Sequence, residues 1–293
     1  MRRLSLNGDW QFREADAAED DRWLTGSVPG GVYTDLLAAG EIPDPFVEDN
    51  ELDVQWVGKT DWEYRRTVEV DADLLEHDRV LLQCDGLDTV ATVLVNGREV
   101  GESVNQHVAY EFDVADALEP GENEIRVRFR SPVEYGIEQA DAHPYEVPCI
   151  RYPVDQPARP FLRKAQCHYG WDWGPCLPTV GIYRDISIVA HSDPRIRYAK
   201  TEQDHLGSDG VGADGADGSE GVDLTVRTGV DAPTAGEYDL TVSVAGVETT
   251  RTVALDAGES EVETTVHVPD PDLWWPNGYG DQSLYDLEVS LSG

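Results

Sequence analysis

From Trp62 to Val70 large and polar side chains alternate, Arg79 to Gln83 continues apolar, and Thr89 to Val95 runs into Asn96-Gly97 ahead of Glu99 and Val100. An Asn-Gly pair between two such runs marks a tight hairpin, because a type I′ turn needs positive φ at both central residues. Phe112 to Val114 and Glu124 to Phe129 follow, the second strictly alternating, with the turn pair Pro120-Gly121 between them. Helical periodicity is confined to Val32 to Ala39, where Val32, Leu36 and Leu37 and the following Gly40 suggest a short helix with a glycine stop. Short strands punctuated by turn residues predict an all-β sandwich.

The pattern fails from Ser131 to Pro178, where prolines such as Pro132, Pro148, Pro160 and Pro175 forbid a regular ladder. An irregular stretch of that length in a compact domain is usually functional. Strand character returns at Gly181 to Ala190, and Asp193-Pro194 marks a boundary, so residues 1–192 read as one sandwich and 193–293 as a second. The second repeats the β pattern at Arg195 to Tyr198, Val222 to Thr228, Glu237 to Val244, Thr249 to Leu255, Glu261 to Val268 and Leu284 to Leu291. Roughly six or seven strands in about 100 residues fit an immunoglobulin-like sandwich. Residues 207–221 contain only Gly, Asp, Ser, Ala, Glu and Val. They predict a mobile, solvated loop, and the Asp spacing matches neither an EF-hand nor a nonapeptide calcium repeat.

Charge narrows the choice of partners. Asp and Glu number 58 against 22 Lys and Arg, a formal charge of −36 that repels nucleic acid and anionic lipid. Lysine occurs only at Lys59, Lys164 and Lys200, and an acid-rich, lysine-poor surface suits a halophilic, high-salt cytoplasm where self-repulsion is screened over a few Å. A hydrophobic share of 40% and eight Trp oppose disorder. Cys84, Cys149, Cys167 and Cys176 are irregularly spaced and read as reduced, mostly buried thiols. Arg2 and Arg3 precede Leu-Ser-Leu-Asn-Gly-Asp-Trp rather than the apolar run of an export signal, and no stretch approaches the ~20 apolar residues of a membrane span. A soluble, cytoplasmic protein is expected.

The densest aromatic and polar cluster, Arg163 to Pro175, closes the irregular segment and contains Trp171-Asp172-Trp173. Trp stacks on the apolar face of a sugar ring while a carboxylate accepts paired hydrogen bonds from vicinal hydroxyls, so these three residues suit carbohydrate. The alternative is a loop whose two Trp pack inward and whose Asp caps backbone N–H groups. Cys167, His168 and Cys176, with Cys149 as a fourth ligand, invite a zinc reading, but no pair has the spacing of structural zinc, and no metal or other cofactor is expected. Asp9, Glu48, Asp53 and Glu63 lie near aromatics, yet among 58 acids such coincidences are expected, and most read as solvated surface. No glycine-rich phosphate loop, G-x-S-x-G elbow or H-E-x-x-H is present. Trp274 to Gly280 forms a second aromatic loop, read as a pin against a neighbouring domain rather than a sugar platform.

Several stretches carry a family resemblance in order along nearly the whole chain: Leu6 to Trp10, Val28 to Val32, Ile42 to Phe46, Asn50-Glu51, Gly86 to Thr89, Val93 to Gly97, Arg163 to Gln166, Gly170 to Pro175 and Leu273 to Gly280. With these the chain resembles the N-terminal region of glycoside hydrolase family 2, in its β-mannosidase branch. The resemblance implies a jelly-roll-like, galactose-binding-type sandwich over 1–192, an immunoglobulin-like sandwich over 193–293, and a catalytic (β/α)8 barrel expected to follow. In this family the acid/base and nucleophile glutamates of a retaining mechanism lie on that barrel, so no catalytic residue is assigned in this chain.

The resemblance further implies that Trp171 walls the −1 subsite, that Asp172 accepts hydroxyls of a terminal mannose, and that Trp173 supports them. Around Cys167 and His168 the chain departs from the family and no role is assigned. The expected function is the substrate-shaping portion of a β-mannosidase that releases terminal β-D-mannose, active only with a barrel on a separate or longer chain. The alternative is a free-standing carbohydrate-binding module, which needs no chemistry. Aglycone preference and oligomeric state leave no mark on the sequence.

Overall fold

A computed structural model describes residues 1–18, 22–150, 154–155, 159–205 and 221–293. Of the expected loop 207–221, all but Gly221 lies outside the described residues. The chain divides into two compact units, Met1–His191 and Ser192–Gly293.

In the first unit, alternation along the strands builds two antiparallel layers. The larger sheet runs in the order Leu24–Val28, Gly8–Glu14, Trp62–Val70, Gly121–Phe129, Ala91–Val95, Arg98–Ser103. The smaller runs Arg2–Ser5, Ile186–His191, Arg79–Cys84, Tyr110–Asp113. Asn123, Ile125, Val127 and Phe129 point inward along one strand, as Ala91, Val93 and Val95 do along the next. The core is aromatic: the Tyr64 ring stacks on Phe12 at 5.4 Å and meets the Phe129 ring edge-on at 6.0 Å. Trp10 and Trp62 are fully buried, and each satisfies its indole N–H on a carbonyl, that of Leu6 at 2.7 Å and that of Val57 at 2.9 Å. The expected hairpin turn is present, with φ of 50° at Asn96 and 77° at Gly97.

The helix Val32–Ala39 ends where Gly40 takes a φ of 73° and donates to Leu36 and Leu37. Its Asp35 is buried, accepting from the Ser27 N–H at 3.0 Å and from the Tyr64 hydroxyl at 2.8 Å. Burial raises the Asp35 pKa, and burial together with the Asp35 charge pushes the Tyr64 phenol well up.

Three expectations need correction. The stretch from Ser131 is not wholly irregular, because Pro132–Ala142 is helical: Ser131 caps it, accepting from the Glu134 N–H at 3.0 Å, and Pro132 sits at the start, where its missing N–H costs nothing. Proline there is a start signal rather than a breaker. Glu63 is not solvated surface but buried, held by Arg13 at 2.7 Å and Arg126 at 3.5 Å, whereas Asp9, Glu48 and Asp53 are exposed. The thiols are mixed: Cys84 and Cys176 are buried, Cys149 is half-buried and Cys167 is exposed.

Among the described residues the second unit is a sandwich of two three-stranded antiparallel sheets, Arg195–His205, Val222–Ala232, Gly258–Val268 and Val247–Leu255, Gly236–Val244, Leu287–Ser292. Alternate residues such as Val226, Leu240, Val242 and Val266 fill its interior.

Candidate functional site

The short 3-10 turn Gln166–His168 leads into a two-stranded hairpin, Tyr169–Trp171 against Gly174–Cys176, with Asp172 and Trp173 at its tip. Gly170 has a φ of 71°, a conformation that costs a side-chain-bearing residue about 1 kcal/mol or more. Arms of three residues cannot hold a hairpin by themselves. The base is therefore tied to distant elements. The Cys176 N–H donates to Glu51 at 2.6 Å, and the Gln55 amide donates to the Cys176 carbonyl at 2.8 Å. Glu51 belongs to the short helix Asn50–Asp53, which the sequence pattern gave no hint of.

Beneath the hairpin lies a fully buried ion pair. The Lys164 ammonium donates to both carboxylate oxygens of Asp88 and, at 2.7 Å, to the Thr179 carbonyl. The Thr89 hydroxyl also donates to Asp88. Burial pushes the Lys164 pKa down, and the Asp88 charge opposes that shift. His168 Nδ1 stands 3.5 Å from Asp88, yet burial and the neighbouring Lys164 charge lower its pKa to about 4, so the ring is neutral and the contact is no ion pair. Gln106 is buried alongside: it accepts from the Ala165 N–H at 2.6 Å, and its own N–H donates to the Arg163 carbonyl at 2.9 Å. Arg159 lies over the ring of buried Tyr169 at 5.3 Å.

The tip has the opposite character. Trp173 is 75% exposed, Trp171 is half-buried, and their rings sit 5.5 Å apart with planes inclined at 36°. Asp172 is exposed and accepts no hydrogen bond from the described residues. Neither Trp packs fully inward, and Asp172 caps no backbone N–H among the described residues. A cleft of about 290 Å³ opens beside the two rings, walled by Arg159, Gln166, Cys167 and Gly170. That volume lies at the low end for ligand clefts, room for one ring rather than an oligosaccharide. The three residues singled out from sequence thus stand together, while Asp88, Lys164 and Gln106 were missed as a group because 76 residues separate the ion pair. One signal was available: Lys164 is one of three lysines in a chain that otherwise carries Arg. Among the described residues no cluster of His, Cys, Asp or Glu could hold a metal ion, and no helix is long and apolar enough to cross a membrane.

Residues 10–184 match the glycosyl hydrolase 2 galactose-binding domain-like family and residues 213–293 match glycosyl hydrolases family 2, and the chain belongs to that family. It is 34% identical over 291 residues to beta-mannosidase B of Emericella nidulans, covering 98% of this chain and 33% of that protein. A probable beta-mannosidase of Caenorhabditis elegans is 32% identical, with 99% of this chain and 32% of that protein covered. Among solved structures, beta-D-mannosidase from Dictyoglomus thermophilum superposes with a TM-score of 0.85 at 33% identity, over 100% of this chain and 34% of its own. The exo-chitosanase of Amycolatopsis orientalis, at 22% identity and a TM-score of 0.67, shares the fold. The chain therefore spans about a third of the length of the relatives it matches, and it corresponds to their family 2 accessory domains rather than to a catalytic barrel.

Proposed function

We propose that this chain is the substrate-shaping portion of a β-mannosidase-type glycoside hydrolase, contributing one wall of the −1 subsite to a catalytic barrel supplied by the rest of the enzyme. The observation that carries this reading is the hairpin tip: an exposed Asp172 with no partner among the described residues, flanked in sequence by half-buried Trp171 and exposed Trp173, on a base locked by buried contacts. Trp171 walls the site against the apolar face of a terminal β-mannosyl unit, Asp172 accepts its hydroxyls, and Trp173 supports them. Two glutamates outside this chain perform the retaining hydrolysis. The lopsided acidity, −36 with only three lysines, supports residence in a salt-rich cytoplasm.

Mixing the chain with a family 2 mannosidase barrel and assaying an aryl β-mannoside tests this. Hydrolysis should rise by orders of magnitude over the barrel alone, and Asp172→Ala should remove most of the gain. No gain over the barrel alone refutes the proposal. Saturable mannoside binding by the lone chain in calorimetry, without any gain in hydrolysis, would favour a free-standing binding module instead.

A further inference from the structure

The second unit is a sandwich with one side open. A constant-type immunoglobulin sandwich carries seven strands, four in one sheet and three in the other. Here the sheet Val247–Leu255, Gly236–Val244, Leu287–Ser292 stops at three, as its partner does, and among the described residues the far edge of Leu287–Ser292 pairs with no strand. The burial pattern shows the consequence. Leu240, Val242 and Val244 on the middle strand are 0%, 0% and 7% exposed, whereas Leu287, Val289 and Leu291, directly opposite them and facing the same interior, are only half-buried.

Among the described residues the opposite sheet is uncovered along the same side. Arg195–His205 is its edge strand, approaches Leu287–Ser292 across the sandwich, and is exposed over nearly its whole length. At the Leu287 end of the two edges opens a cleft of about 720 Å³, lined also by Ala199 to His205 on the facing strand, with Leu224 and Val268 at its floor and Leu284 and Trp274, 85% and 55% exposed, at its rim. A row of free backbone groups beside an apolar trough is the geometry that adds a strand rather than a globular surface.

We infer that the edge of Leu287–Ser292 and the cleft beside it accept one antiparallel β-strand, apolar at alternate positions, from the polypeptide that carries the catalytic barrel. That the donor is the barrel chain rests on the function proposed for this chain; the open edge does not. Antiparallel pairing follows the other pairs of both sheets. Donor residues opposite half-buried Leu287, Val289 and Leu291 are apolar and cover them, the one opposite Leu287 reaching the cleft, while the position opposite exposed Glu288 favours Lys or Arg. The relatives are about three times as long as this chain, so ample polypeptide to supply such a segment lies outside the matched third of each.

Hydrogen exchange tests this on the whole chain, using a nine-residue synthetic peptide of alternating Val and Thr/Lys, both free and tethered to Gly293 by a short Gly-Ser linker. Tethering raises the effective concentration to about millimolar, so weak affinity does not hide pairing. The amides of 287–292 should exchange at least ~10-fold more slowly with the peptide, a shuffled peptide of the same composition should not protect them, and Leu284→Asp should abolish protection. Leu284 is exposed, so that variant folds. Absence of protection by the tethered peptide overturns the inference. So does concentration-dependent protection of these amides without peptide, accompanied by a dimer in sedimentation, because that assigns the edge to a second copy. If a barrel chain restores hydrolysis while these amides stay unprotected, strand addition fails and the proposed function stands. Protection by the barrel chain without hydrolysis upholds strand addition and refutes the proposed function.

Discussion

Replacing Lys164 by Met removes the ammonium beneath the hairpin while keeping most of the side chain's length and volume. The Asp88 carboxylate then keeps only the Thr89 hydroxyl as a close donor, in a site where the Lys164 and Asp88 side chains are 0% and 2% exposed. Breaking a buried pair from one side costs about 3–5 kcal/mol, because the surviving charge stays desolvated. Domains are stable by only about 5–15 kcal/mol, so the first unit should approach its unfolding threshold. Urea titration at fixed salt, followed by Trp fluorescence, reads this directly: with a slope of ~2 kcal/mol/M the midpoint should fall by roughly 2 M. The double variant Asp88→Asn/Lys164→Met leaves no lone charge, and its cost should fall short of the sum of the two single variants by about 2 kcal/mol. A Lys164→Met midpoint close to that of the parent, or strict additivity in the cycle, would show that the pair does not anchor the hairpin.

His168 sets a pH window. Its folded pKa is lowered to about 4 by burial and the Lys164 charge, while the unfolded ring titrates near the ordinary imidazole value of 6.5, so the unfolded chain takes up the proton first. Stability is therefore present above 6.5 and is lost as pH falls towards 4, by at most about 3 kcal/mol, and His168→Gln should flatten that slope in denaturation curves collected across pH. Tyr64→Phe leaves Asp35 with the Ser27 N–H but without the phenol, and should cost about 1–3 kcal/mol in thermal or urea unfolding; an unchanged midpoint would dismiss that bond. Gly101 faces Phe112, and an added Cβ would run into the ring. Gly101→Ala should therefore destabilise the first unit by about 1–3 kcal/mol through overpacking, and calorimetry showing no loss would mean that Phe112 yields freely. Trp173→Ala should stay within about 0.5 kcal/mol of the parent because the ring is exposed, yet lower barrel-dependent hydrolysis at least ~10-fold; equal activity would remove Trp173 from the site.

What could be read from the chain follows the range of the interactions. The strands were legible because alternation is local, and Asn96-Gly97 announced its turn because two positive φ angles leave few other choices. The aromatic tip was legible for the same reason: its three residues are consecutive. The helix Pro132–Ala142 was hidden by the count of prolines around it, although Ser131, Pro132 and Glu134 spell a helix start when taken together. Glu63 was hidden because its burial depends on Arg13 and Arg126, which come from two other strands. The Asp88–Lys164 pair joins the strand Leu87–Asp88 to the approach to the hairpin, and nothing local at either residue points to the other.

The division between a buried base and a bare tip bears on how the site would work in strong salt. Pairs such as Arg130 with Glu138 lie at the surface, where ions screen them within a few Å at molar concentration. The Lys164–Asp88 pair excludes solvent, and its attraction is screened far less. A hairpin anchored by surface pairs would loosen as salt rises, whereas one anchored here keeps Trp171 and Asp172 in register while the −36 charge of the chain is neutralised by counterions. Raising KCl should therefore shift the overall stability of the protein and erase the contribution of Arg130, measured as Arg130→Met, while the penalty of Lys164→Met stays constant. If both penalties shrink together, the Lys164 site is reached by ions and the base of the hairpin is not the dry anchor its burial indicates.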